Sequence, residues 1–287
     1  MGGLHARVHA VHAGFLVSGW REIQPEKGAP GRVREGDQGV RDAEIATDMA
    51  RLAPAAARRL SRVSAELTSG GTTLVGSPVE SLDTPALLID MEALEHNIRT
   101  YAATMADRNC IWRPHCKAIR SPELAHMLVD AGAIGVTCAK ISQAAALADG
   151  GITDILIANE IVAPAKVAAL IDLAAKVDSL CVAVDDEGAL RAIAAAAVAA
   201  GMHNLDVLVD VNVGMNRCGI HWENLEEIVR LSQLADSLPG VGFRGLMGYD
   251  GGEVATAASS AERLDAARNA VKAAGTTVKI ISGAGSE

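Results

Sequence analysis

Lys117 ends the stretch Ile111-Trp112-Arg113-Pro114-His115-Cys116-Lys117, a short strand-like run followed closely by Ser121-Pro122-Glu123. The second triplet reads as a helix start, because serine can accept from orphan amides and proline costs nothing at the first helical position. A lysine at the C-terminal end of a strand, aimed into a barrel mouth, suits Schiff-base chemistry: burial lowers its pKa and frees the lone pair. Taken alone, Lys117 reads first as a surface lysine that snorkels its amine into water.

Three other stretches carry the groups such chemistry needs. Asp210-Val211-Asn212-Val213-Gly214-Met215-Asn216-Arg217-Cys218-Gly219 leaves a predicted strand and offers Arg217, whose planar donor fork can hold a phenolate or a carboxylate. Gly245-Leu246-Met247-Gly248-Tyr249 ends another predicted strand with one of only two tyrosines, able to pack on a flat ring or hydrogen-bond to it. Ser282-Gly283-Ala284-Gly285-Ser286 follows the last predicted strand, and small residues there let backbone amides converge on a phosphate. Each stretch has a plainer reading: a loop arginine paired to an acid, a packed tyrosine, a flexible tail. Together they describe pyridoxal phosphate (PLP) held in a barrel, its ring an electron sink for a carbanion at the substrate's α-carbon.

The elements that must position these groups show in the rhythm of the chain from Leu82 onward. Apolar, β-branched runs recur at Thr84–Asp90, Ile111–Lys117, Gly135–Lys140, Asp154–Glu160, Leu180–Asp186, Leu205–Gly214, Gly242–Asp250 and Val278–Gly283. Alanine-rich stretches of helical spacing lie between them, such as Pro164–Val177, Glu187–Ala200 and Leu225–Leu234. Near-continuous apolar strands alternating with helices predict an α/β fold whose parallel sheet is covered by helices. No strand is followed by GxGxxG, which disfavours a dinucleotide site. Polar residues end many of the strands, and a barrel gathers such ends around one mouth. The prediction is a (β/α)₈-type barrel over residues 81–287.

Residues 1–80 differ, with nine arginines against one lysine and no sustained apolar period. They read as a partly disordered N-terminal extension with one helix near Asp42–Leu67. His5, His9 and His12 would share a helical face, read as solvated rather than metal-binding. The net charge of −9 and the lack of a basic stripe exclude a nucleic-acid partner. Five scattered cysteines and no bilayer-length apolar run fit a cytoplasmic protein with no membrane partner.

From Leu82 to Ser286 the sequence resembles the D-threonine aldolase/D-serine dehydratase group, whose barrel is the alanine-racemase N-terminal type. The carrying motifs are DTPALLID, RPHCKAIRSPELA, GVTCAK, GGITDILIANEIV, VDVNVGMNRCG, GLMGYDG and SGAGS. The resemblance implies that Lys117 forms the PLP Schiff base and Arg217 touches the cofactor's phenolic oxygen. It likewise implies that Tyr249 lies beside the ring, while Ser282, Gly283 and Gly285 form the phosphate cup. In that group the first strand, Thr84–Asp90, joins a C-terminal β-domain. The barrel is therefore expected to be incomplete, with about seven strands and an exposed parallel edge, and that β-domain to be missing. No metal ligand is assigned in this chain; a divalent metal is expected only in a full-length version. The implied activity is a lyase cleaving D-β-hydroxy-α-amino acids, such as D-threonine or 3-hydroxy-D-aspartate, to glycine and an aldehyde, and is expected to be weak or absent in this chain. D-serine dehydratase and a non-catalytic PLP carrier are the alternatives. The partner is a small-molecule D-amino acid, and a homodimer is left open.

Overall fold

The structure, a computed structural model, describes residues 7–10, 68–69, 72–73, 78–79, 88–251 and 254–283. The chain divides into a unit of residues 1–17 with 97–287 and a unit of residues 18–96. The second unit contains a short antiparallel pair, β2 (Thr68–Ser69) with β3 (Thr72–Thr73). The predicted helix at Asp42–Leu67 lies outside the described residues. Of the predicted strand Thr84–Asp90, residues 88–90 have no regular structure and the rest is likewise outside. Leu88 and Ile89 are exposed, so no packing draws them into a sheet.

Helix α1 (Met91–Asp107) leads into the barrel unit. There the chain alternates β4 (Ile111–Trp112), α2 (Pro122–Asp130), β5 (Val136–Cys138), α3 (Ile141–Asp149), β6 (Asp154–Glu160), α4 (Pro164–Ala174), β7 (Ser179–Val184), α5 (Glu187–Ala199) and β8 (Asn204–Asn212). A two-residue strand β9 (Ile220–His221) follows, then α6 (Leu225–Ser237), β10 (Gly240–Gly248), α7 (Val254–Ala273) and β11 (Ile280–Gly283). Helix starts are written in the sequence. Ser121 caps α2 by accepting from the Leu124 amide, with Pro122 in the first turn, and Asp186 and Asn224 cap α5 and α6 the same way.

The sheet order is β4-β1-β11-β10-β8-β7-β6-β5, parallel throughout. A bridge from His115 to Thr137 joins the two ends, β4 and β5. The seven strands expected from the alternating region are all present, though β4 is shorter than predicted. Only Ile111 and Trp112 are strand residues, but bonding toward β5 continues past them: the Thr137 amide donates to the Pro114 carbonyl at 2.8 Å and the Cys116 amide to the Thr137 carbonyl at 2.7 Å, Pro114 itself having no N–H to give. The space between β11 and β4 holds β1 (Arg7–Ala10), which pairs in parallel with both. An N-terminal strand thus occupies the edge that was expected to be bare. It also replaces the helical face drawn through His5, His9 and His12, of which only His9 lies among the described residues.

Strand alternation builds two cores. On β8, Leu205, Val207 and Val209 face the helices, as do Ile155 and Ile157 of β6 and Val182 and Val184 of β7. The opposite parity fills the barrel with Leu156, Cys181, Ala183, Leu208 and Met247. Toward the strands' N-terminal ends, Arg113 pairs with Asp154 at 2.7 Å and Arg244 pairs with Asp206. A cavity of about 540 Å³ lined by Asp154, Asp206 and Arg244 opens at that end. Among the described residues no helix is long and apolar enough to cross a membrane.

Candidate active site

Barrel sites form where the strands' C-terminal ends converge, and that is where the described candidate residues lie. Lys117 follows the His115 bridge in a turn. Its amide donates to His115 Nδ1 at 3.2 Å, and its carbonyl accepts from Arg120 Nε at 2.9 Å. Two residues before Lys117, His115 has its pKa pushed down to about 4 by burial, with the Lys117 and Arg217 charges adding to it. The imidazole is therefore neutral at neutral pH, and its Nδ1 is free to accept. The burial expected for Lys117 itself is not found: its side chain is exposed, because it stands on the rim beyond the last ladder contact.

The Lys117 Nζ lies 5.8 Å from the centre of the Tyr249 ring, and the Arg217 guanidinium carbon 5.2 Å from it. Two cationic side chains that follow different strands thus meet on one aromatic ring beyond a third, each at cation–π range. Arg217 is exposed, and its pKa is raised chiefly by a hydrogen bond to Cys218.

Ser282, inside β11, is 1% exposed, and its Oγ has no hydrogen-bond partner among the described residues. A buried orphan hydroxyl costs free energy unless something pairs with it, and a phosphate oxygen would do so. A Cβ at Gly283 would come within 2.9 Å of Leu264 Cδ1, the end of a side chain on α7. Gly285 lies outside the described residues.

The sequence reading missed a cluster of acids. Glu160, Asp210 and Cys218 bring one ligand atom each to within 4.8 Å of one another, a donor set able to hold a metal ion. Asp210 is 4% exposed. Burial, together with a hydrogen bond to Glu160 and that residue's charge, holds its carboxyl well above the usual range. Asp185, also at the mouth, is raised chiefly by burial. The signal was available: Glu160 ends β6, Asp185 follows β7 and Asp210 lies two residues before the end of β8. Only the inward parity of Asp210, and a register shift that sets Glu160 beside Ala183, bring the first and last together.

The model of the alanine racemase N-terminal domain family matches residues 89–287. A D-threonine aldolase of Arthrobacter sp. is 38% identical over 210 residues, covering 73% of this chain and 54% of that protein. A 3-hydroxy-D-aspartate aldolase of Paracoccus denitrificans is 33% identical over 183 residues, covering 63% of this chain and 46% of that one. The crystal structure of D-threonine aldolase from Filomicrobium marinum superposes with a TM-score of 0.69 at 36% identity, covering 72% of this chain and 58% of that one. The chain spans about half the length of the curated relatives it matches.

Proposed function

The chain belongs to the alanine racemase N-terminal domain family, and from that premise we propose that it is the PLP-binding barrel of a lyase acting on D-β-hydroxy-α-amino acids. The observation that carries this reading is the convergence of Lys117 and Arg217 on the ring of Tyr249 at the barrel mouth. The similarity to two aldolases of D-amino acids supports the substrate class.

In this reading Lys117 supplies the amine that attaches the cofactor. Arg217 offers its planar fork to the ring oxygen, and Tyr249 offers a flat apolar face to the ring. Ser282 donates its otherwise unpaired hydroxyl to the phosphate. PLP, when bound, supplies an electron sink for the pair released at the substrate's α-carbon. The overall cleavage takes the proton from the β-hydroxyl, breaks the Cα–Cβ bond and returns a proton to Cα, giving an aldehyde and glycine. A neutral His115 adds no third positive charge to the pocket that Lys117 and Arg217 already share.

The test is aldehyde release from D-threonine and L-threonine by the PLP-loaded protein, run in parallel on this chain and on a longer in-frame chain. Release confined to the D enantiomer, strong in the longer chain and weak or absent in the shorter, supports the reading. No release from either enantiomer by a PLP-loaded longer chain overturns the aldolase assignment.

A further inference from the structure

The segment that carries Arg217 is tied down at both ends by side chains with no assigned role. Asn212 is the last residue of β8. Its Oδ1 accepts from the Gly214 amide at 3.1 Å and the Asn216 amide at 3.0 Å, while its Nδ2 donates to Asn216 Oδ1 at 3.2 Å. Asn216 returns a bond from its Nδ2 to the Gly214 carbonyl at 3.1 Å. It does so at φ 57, a left-handed conformation that asparagine tolerates better than most residues. One amide side chain thus folds the start of the loop.

The other end is held from the neighbouring strand. The Gly219 amide donates to Asp185 Oδ2 at 2.9 Å, and Asp185 directly follows β7. Only glycine fits there: at φ +89 a Cβ would lie 2.7 Å from the Asn212 nitrogen and 2.9 Å from the Val211 carbonyl carbon. The chain then runs beside β8 in the same direction, as β9 pairs in parallel, Ile220 with Val211 and His221 with Asn212. Residues 213–219 therefore leave Asn212 and return to it, and Arg217 lies near the closing end.

Arg217 has an exposed, rotamer-rich side chain, and holding such a group against a ligand costs conformational entropy. Fixing its backbone beforehand lowers that cost at the moment of binding. We propose that Asn212 and Asp185 are positioning residues that preorganise Arg217 for an anionic oxygen of the bound cofactor. This inference rests on the reading of Arg217 given above.

The test measures PLP dissociation constants for the wild type, Asn212→Ala, Asp185→Ala, Asp185→Asn and Arg217→Ala, and for Arg217→Ala combined with each alanine variant. Asn212→Ala and Asp185→Ala should each weaken binding roughly tenfold, the scale of a lost hydrogen bond or two. Asp185→Asn keeps an acceptor for Gly219 and should stay within about twofold. In the Arg217→Ala background neither alanine change should weaken binding further, because its effect runs through the arginine. In the cofactor-free protein, Gly214, Asn216 and Gly219 amides should exchange faster in the variants while those of β8 do not, which separates a loosened loop from a misfolded barrel. Equal losses with and without Arg217 overturn the inference, as does unchanged binding in the two alanine variants while Arg217→Ala is weak. Unchanged binding in Arg217→Ala itself overturns the reading of Arg217, and the inference with it.

Discussion

The Arg217 guanidinium carbon stands 5.2 Å from the centre of the Tyr249 ring, although the two residues leave different strands. The register explains it. Asp210 of β8 lies beside Met247 of β10, so the loop beyond each strand starts at nearly the same height. If the pair flanks the cofactor, Arg217→Ala should weaken PLP binding about ten- to a hundredfold, the range for a hydrogen bond to a charged group. Arg217→Lys should fail to restore it, since a point charge does not replace a planar fork. Tyr249→Phe, which keeps the ring face, should bind PLP within about threefold of wild type. Titration followed by absorption checks all three.

His115 makes stability depend on acid. Its folded pKa, lowered to about 4, lies below the ordinary value of 6.5, so the unfolded chain takes up a proton first as pH falls. Its contribution is fully present above about 6.5, declines as pH drops, and is gone near 4. Wild type should lose up to about 3 kcal/mol between pH 7 and pH 4 that His115→Gln does not lose. Denaturant melts at the two pH values measure the difference, and parallel losses in both proteins would refute it.

Asp210 acts in the opposite direction. Burial and Glu160 raise its pKa, so the folded chain holds a proton that the unfolded chain has released. Wild-type stability from this group is present below about pH 4, the unfolded value, and is lost as pH rises toward the folded one. Asp210→Asn, which cannot ionise, should therefore gain stability relative to wild type as pH rises from 4 to 8. A constant difference across that range would mean that Asp210 is ionised in the folded protein.

The strand β1 lies between β11 and β4. Deleting residues 1–10 removes its ladder and bares two parallel edges, which invite pairing with another chain. The shortened protein should shift toward higher mass in light scattering as concentration rises. If it remains as monodisperse as the whole chain, β1 does not protect the edges.

Much of the barrel was legible because its signals are local. Val, Ile and Leu runs bounded by capped alanine-rich helices mark the strands, and Ser121-Pro122 marks the start of α2 where the structure has it. Of the candidate site, Lys117, Arg217 and Tyr249 stood out in the sequence as residues of distinctive chemistry beyond strands, and the structure places their side chains close together. Other features depend on where side chains end up in space. Lys117 is exposed because it stands on the rim beyond the last ladder contact, the bridge at His115. Glu160 meets Asp210 only through a register shift in β6. Arg7–Ala10 has too few residues to show a period, so its place beside β11 could not be read from pattern.

The attachment of PLP at Lys117 is the central claim and can be measured directly. The protein is loaded with PLP, reduced with borohydride, digested and mapped by mass spectrometry. The pyridoxyl group should be found on the peptide containing Lys117, and Lys117→Ala should leave the protein unlabelled. Labelling at Lys140 or Lys166, or undiminished labelling of Lys117→Ala, would contradict the assignment.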